Sequence, residues 1–114
     1  MNDLKATGDC YQAAGNFIFK CFGDPDFKLV HGMVDGQGKT KGLRFGHAWI
    51  EYKERKVIDV ANGTQNEYPI ELYYGIGNIK KEECLYYTAE QAVKFMVGES
   101  HWGPWEKEFK TIKL

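Results

Sequence analysis

A cysteine, a histidine and an aspartate within the first 60 residues have the side chains needed for nucleophilic chemistry. Cys10 follows a Gly-Asp pair, His47 lies within segment 45–51, and Asp59 has apolar neighbours on both sides. A thiolate becomes an effective nucleophile when a neighbouring base takes its proton and a third group orients that base. The three residue types therefore predict acyl-transfer chemistry through a thiol, an imidazole and a carboxylate.

The local sequence predicts that Cys10 lies in the first turn of a helix. Asp9 is a favourable N-cap residue, and apolar residues then recur at helical spacing as far as Cys21. The peptide dipoles at a helix N-terminus favour an anion, and the free N–H groups there can hold an oxyanion. We therefore expect the helix to activate the thiol, and the backbone N–H of Cys10 to stabilise the oxyanion of a reacting carbonyl.

The segments that carry His47 and Asp59 are predicted to form a β-hairpin. Residues 44–52 and 56–60 have the pattern of strands, with a polar turn between them. A turn of three or five residues places His47 and Asp59 on the same face, directly opposite or diagonal to each other. A two-residue turn places His47 opposite Asn62 instead. Asp59 and Asn62 therefore both stay open as the residue that orients the imidazole.

The remaining sequence predicts further strands and two shorter helices. Strands are expected at 27–34, 84–87 and 109–112. Pro69 is expected to open a short helix. Thr88 and Gln91 form a capping-box pattern before a helix that ends near Gly98. This order predicts one α+β domain over residues 1–114, with the N-terminal helix packed on an antiparallel sheet.

The composition is typical of a soluble globular protein. Hydrophobic residues make up 43% and charged residues 27% of the chain, and the formal net charge is -1. Neither nucleic acid nor an anionic membrane surface is therefore expected as a partner. No segment reaches the roughly 18 consecutive apolar residues of a membrane span. The N-terminus also lacks the pattern of a signal peptide, so we expect a cytoplasmic protein.

The high aromatic content, 15% of the residues, suggests a substrate groove walled by rings. The residues expected in its walls are Trp49, Asn62, Trp102 and Trp105. No cofactor or metal is expected, because Gly38-Lys39-Thr40 lacks the spacing of a phosphate loop and the Cys and His residues lack that of a zinc site. His31 is a rival base, but no strand bearing a carboxylate follows it closely.

The sequence around His47 resembles a known superfamily. Segment 46–51, Gly-His-Ala-Trp-Ile-Glu, resembles the His-Ala-Trp-(apolar)-Glu strand in the transglutaminase-like branch of the papain-like cysteine peptidases. Segments 8–10, 29–32 and 57–62 are similar to the start of its Cys helix, the strand that follows and its Asp strand. The resemblance covers residues 8–63 and implies a papain-like fold.

The resemblance also implies roles for three residues: Cys10 as nucleophile, His47 as base and Asp59 as orienting residue. The superfamily includes peptidases, isopeptidases, amidases, transglutaminases and acyltransferases, so the expected substrate is a peptide, a protein, or a small amide or thioester. Its members often carry a Gln shortly before the Cys as an oxyanion donor, and residues 1–9 contain none. The alternative is a catalytically inactive papain-like fold that acts as a protein-binding or inhibitory module, with the aromatic loop 102–105 as its contact surface.

Overall fold

The computed structural model describes the backbone of residues 3–106 and the side chains of residues 10–106. The helices and strands, in chain order, are α1 (Asp3–Lys20), β1 (Phe27–Asp35), β2 (Arg44–Tyr52), β3 (Lys56–Asp59), β4 (Asn66–Pro69), α2 (Ile70–Ile76), β5 (Leu85–Thr88) and α3 (Ala89–Glu99). The strand predicted at 109–112 lies outside the described residues. No helix within 3–106 is both long and apolar enough to cross a lipid bilayer.

An antiparallel sheet of five strands lies at the centre of an α+β fold, as predicted. The strand order is β4-β3-β2-β1-β5, and every neighbouring pair is antiparallel. Strands β1 and β2 pair along their whole length, whereas β2 pairs with β3 only over Ile50–Tyr52. Within the described chain, residues 44–49 of β2 therefore have no strand partner on the β3 side. This gap in the sheet lies beside His47.

The two faces of the sheet support different helices. On one face, Cys10, Ala14 and Ile18 of α1 pack in a cluster that also contains residues of α3. On the other face, Tyr73 and Tyr74 of α2 pack against a second cluster. Adjacent strand residues alternate between the two clusters, because successive side chains of a strand point to opposite faces. The pairs divided in this way are Leu29 and Val30, Trp49 and Ile50, and Val57 and Ile58.

The beginning of α1 differs from the prediction. The helix begins at Asp3, so the prediction of Asp9 as its N-cap is wrong. The residues before Asp9 include Leu4, Lys5 and Ala6, which are favourable helix formers. Gly8 in the helix interior costs only about 1 kcal/mol relative to Ala, which tertiary packing can offset. A good capping residue therefore marks a position where a helix can begin but does not prevent one from beginning earlier.

The second half of the chain contains one strand that the sequence did not reveal. Strand β4 ends at Pro69, the same residue that precedes α2. A proline has no N–H to donate to a neighbouring strand, so within sheets it is found mainly on edge strands such as β4. The predicted capping box of α3 is confirmed: the Gln91 N–H donates to Thr88 Oγ1 (3.1 Å), and the Thr88 N–H donates to Gln91 Oε1 (3.0 Å).

His31 is buried in β1, and neither of its ring nitrogens has a hydrogen-bond partner among the described residues. Its ring lies against Tyr11, Tyr87 and Trp105, with centroids 4.9, 5.1 and 5.0 Å away. Burial lowers the pKa of His31 to about 3, because a charged imidazolium would lose its hydration without gaining a partner. His31 is therefore neutral in the folded protein at neutral pH.

We expect His31 to destabilise the fold in acid. Its pKa is about 3 in the folded protein, whereas the ordinary pKa of a histidine in an unfolded chain is 6.5, so the unfolded state binds more protons between these values. The free energy of unfolding therefore falls as the pH drops through that window, by up to about 1.4 kcal/mol per pH unit from this residue. Urea denaturation between about pH 6 and about pH 4 should show a shallower dependence on pH for His31→Leu than for the parent. His101→Leu, at an exposed histidine, is the control; equal slopes for His31→Leu and the parent would contradict a neutral His31.

Candidate active site

Asp59, at the end of β3, holds the imidazole of His47. The distance from His47 Nε2 to Asp59 Oδ2 is 3.1 Å. The hairpin turn has three residues, since Tyr52 pairs with Lys56. His47 and Asp59 are consequently diagonal neighbours on one face, which is an outcome predicted for a turn of this length. Of the two candidates for orienting the imidazole, Asp59 makes the contact, while Asn62 lies on the wall of a neighbouring cavity.

The carboxylate of Asp59 accepts two further hydrogen bonds. The hydroxyl of Tyr73 donates to Oδ2 (2.7 Å), and the backbone N–H of Ala61 donates to Oδ1 (3.0 Å). Burial raises the pKa of Asp59, but the hydrogen bonds and the charge of His47 outweigh burial, so the pKa is lowered overall. Asp59 is therefore ionised at neutral pH and fixed in orientation by its three partners.

Cys10 is the other partner of the imidazole. Its side chain hydrogen-bonds to His47 and interacts with it through charge. Burial lowers the pKa of His47, but the hydrogen bonds and charges of Asp59 and Cys10 outweigh burial and raise it to about 10. The fold thus brings the three predicted residues together as a thiol, an imidazole and a carboxylate.

The gap between β2 and β3 explains how a residue of α1 reaches His47. After Asp59 the chain leaves the sheet and forms a 3₁₀ turn, Ala61–Gly63, which packs against α1. Gly46 allows the helix to approach β2 closely, because a Cβ at that position would lie 2.6 Å from the Tyr11 hydroxyl oxygen. Gly46, the small neighbour of His47, therefore lies against the helix that carries Cys10.

The environment of Cys10 differs from the prediction in two respects. Because α1 begins at Asp3, Cys10 lies more than one turn inside the helix. Its backbone N–H belongs to the internal hydrogen-bond ladder rather than to the free amides of the first turn. The predicted activation by the helix N-terminus and the predicted oxyanion role of this N–H are therefore wrong. The residue is also buried, with 1% of its surface exposed.

Trp49 lies beneath the imidazole instead of forming the wall of an open groove. Its side chain is fully buried on the α2 face, and its ring stacks on that of His47, with centroids 6.0 Å apart and planes 29° apart. The indole N–H donates to Glu51 Oε2 (3.1 Å), which also accepts from the Tyr74 hydroxyl. Trp49 therefore supports the imidazole from the core by stacking on it. The buried carboxylate of Glu51, the last residue of the segment 46–51, in turn fixes the indole.

The other two tryptophans, unlike Trp49, pack against other parts of the molecule. Trp105 is buried, stacks on Phe95 at 5.1 Å, and donates its indole N–H to the His101 carbonyl (2.9 Å). Trp102 lies over Gly15 of α1 and lines a separate groove on the α1–α3 surface. The predicted groove of three tryptophans and Asn62 is therefore not formed, and only Asn62 faces the same cavity as His47.

A cavity of about 340 Å³ opens beside His47 and Asp59. Tyr73, which sequence reasoning missed, contributes to its wall as well as to the hydrogen bonds of Asp59. The only signal for Tyr73 in the sequence was its position in the short helix predicted after Pro69. That signal could not show that the helix folds back over β3.

The other cysteines have less suitable surroundings. Burial raises the pKa of Cys84 to about 11, and burial together with the charge of Asp24 raises that of Cys21. Across the described residues no three His, Cys, Asp or Glu side chains are grouped so that they could hold a metal ion.

Comparison with known proteins does not supply a family. The chain matches no protein-family model, no curated protein and no solved structure. The geometry around His47 is therefore the basis on which a function is assigned.

Proposed function

We propose that the protein is a cysteine-dependent hydrolase or acyltransferase with a papain-like, transglutaminase-like architecture. The observation that carries the proposal is that one imidazole, that of His47, hydrogen-bonds to both the Cys10 side chain and the Asp59 carboxylate. A nucleophile, a base and an orienting acid connected in this way are the minimum for thiol catalysis. The resemblance of segment 46–51 to the His strand of the transglutaminase-like branch supports the same assignment.

The reaction begins from the Cys10 thiolate and the His47 imidazolium, the pair that forms when the thiol proton is transferred to the imidazole. The sulfur then forms a bond with the carbonyl carbon of an amide or thioester, and the bond to the leaving group breaks with its electron pair. The leaving group takes the proton from His47. A water molecule or an amine next attacks the thioester and gives a proton to His47, and the C–S bond breaks to release the product and the Cys10 thiolate. Asp59 stabilises the imidazolium in both halves of the reaction.

Access to the sulfur requires an opening step. Cys10 is 1% exposed, and a carbonyl carbon must approach to within about 3–3.5 Å for attack. The groups that cover the thiol must therefore move before the first bond forms. Such gating motions are common in enzymes and exclude water from the site until substrate is present.

A second candidate function is an inactive papain-like module that binds or inhibits another protein. Two observations favour it: the burial of Cys10 and the position of its backbone N–H inside α1. An inactive module needs neither an accessible sulfur nor an oxyanion donor. The hydrogen bonds that connect Cys10, His47 and Asp59 favour the enzyme. A measurement of thiol reactivity distinguishes the enzyme from the inactive module.

We expect iodoacetamide at neutral pH to modify Cys10 at least about ten-fold faster than Cys84, because the imidazole of His47 hydrogen-bonds to the Cys10 side chain and can take its proton. Burial raises the pKa of Cys84 to about 11 and leaves little thiolate there. Mass spectrometry of peptides after timed labelling measures both rates in the same molecule. Cys10→Ala should lose the fast adduct while keeping the circular dichroism spectrum of the parent. Preferential labelling of Cys84 or Cys21, with Cys10 reacting only in urea, would instead favour the inactive module.

Replacing Asp59 should weaken the thiol activation. Asp59→Ala removes a charge-assisted hydrogen bond, which is worth about 1.5–3 kcal/mol, so the pKa of His47 falls and the imidazolium is lost at a lower pH. We expect Cys10 alkylation at neutral pH to slow by about ten-fold or more, with its rise moved to higher pH. The control is Glu67→Ala, which removes a carboxylate from the exposed pair with Lys56. An unchanged pH profile for Asp59→Ala would contradict the orienting role.

A further inference from the structure

The cavity beside His47 has a largely apolar wall that includes several polar groups. His47, Asp59 and Asn62 are among the polar residues that line it. The apolar and aromatic side chains around them are Val34, Phe45, Tyr68, Tyr73, Ile76 and Ile79. Its volume, about 340 Å³, lies at the small end of the range for ligand sites, which are typically apolar with a few placed polar groups. The cavity is thus large enough for one side chain or a small molecule.

The walls of the cavity are tied to one another by hydrogen bonds. The side-chain amide of Gln37 donates to the carbonyls of Asp35 (3.2 Å) and Ile76 (3.1 Å), which joins the loop after β1 to the end of α2. The backbone N–H of Asp35 donates to the Gly77 carbonyl (2.7 Å). A cavity whose two sides are joined in this way is already formed before a ligand binds, which reduces the entropy lost on binding.

The charges in the cavity wall are already neutralised. Asp59 is paired with His47 at 3.1 Å, and Asp35 is paired with the guanidinium of Arg44 at 2.9 Å. A charged ligand group would lose its hydration in the cavity without meeting an opposite charge of its own. The wall therefore favours an uncharged group with a large apolar surface.

The position of the cavity indicates which part of a bound substrate would occupy it. His47 lines it and Cys10 does not, so an occupant contacts the imidazole rather than the sulfur. The imidazole exchanges its proton with the leaving group and then with the water or amine that replaces it. We propose that the cavity binds an uncharged aromatic or aliphatic side chain in the leaving-group or acceptor part of the substrate. The binding site follows from the cavity itself, whereas its assignment to that part rests on the proposed function.

Two half-exposed residues of α2 allow a matched test. Ile76 lines the cavity and is 51% exposed, whereas Leu72 is 50% exposed and is not part of the wall. A new carboxylate at position 76 would place an unpaired charge at the site, while the same change at position 72 introduces the charge on the same helix with a similar loss of apolar surface. The comparison therefore separates an effect on the cavity from an effect on α2.

Binding is measured by NMR titration of the 114-residue Cys10→Ala chain, in which no acyl transfer can occur. N-acetyl-phenylalaninamide should shift the resonances of the His47, Tyr68 and Tyr73 rings, and N-acetyl-lysinamide and N-acetyl-aspartic acid amide should bind about ten-fold more weakly. In the Cys10→Ala protein, Ile76→Asp should weaken binding of the phenylalanine compound by about ten-fold, whereas Leu72→Asp should leave its affinity unchanged. Equal binding of the three compounds, or shifts confined to the surface around Trp102, would overturn the proposal.

A second measurement distinguishes failure of the cavity proposal from failure of the proposed function. Peptides with one acyl part and either a phenylalanine or a lysine leaving group are incubated with the parent protein, and product and the Cys10 thioester are followed by mass spectrometry. Faster release of the phenylalanine leaving group supports the assignment to that part of the substrate. Turnover without this preference overturns the assignment and retains the enzyme. If the phenylalanine compound binds in the cavity but Cys10 is not acylated, the proposed binding site is retained. The proposed enzyme, and the assignment of the cavity to the leaving-group part of a substrate, are then overturned.

Discussion

The site depends on the point at which β3 leaves β2. The two strands pair only from Ile50↔Ile58 to Tyr52↔Lys56, and beyond that point the chain turns away into Ala61–Gly63. Had the pairing continued, backbone hydrogen bonds would have filled the edge of β2 beside His47, where α1 now approaches. The separation therefore lets an imidazole on a strand contact the Asp59 carboxylate and the thiol of a helix at the same time.

The partly buried carboxylate of Asp59, where β3 leaves β2, is tolerated because its oxygens accept hydrogen bonds. Burial of Asp59 without partners would cost several kcal/mol. The donors come from three separate elements: His47 on β2, Tyr73 on α2 and the backbone of Ala61. The same bonds therefore stabilise the ionised carboxylate and fix the position at which the chain leaves the sheet. Loss of Asp59 should consequently disturb both the electrostatics and the local geometry of the site.

Local sequence patterns predicted those parts of the fold that local interactions determine. The bounds of β2 were predicted as 44–52 and are observed as Arg44–Tyr52, because alternation along a paired strand is a strong signal. The start of α1 was not predicted, since Asp9 and the residues before it are all compatible with a helix. Tyr73 and the burial of Trp49 were also missed. Both depend on α2 folding back over the sheet after β4, which is a tertiary arrangement that no local pattern encodes.

The imidazole of His47 connects the two faces of the sheet. Cys10 belongs to the α1 face, whereas Trp49, which stacks on His47, belongs to the α2 face together with the wall of the cavity. The nucleophile and the binding surface are therefore supplied by different packing layers, and His47 contacts both. A ligand in the cavity can alter the sulfur through the position or protonation of this ring, since His47 lines the cavity and Cys10 does not. Because Asp59 both holds one edge of the ring and raises the pKa of the imidazole, a ligand that disturbed this contact would change the position and the protonation of the ring together.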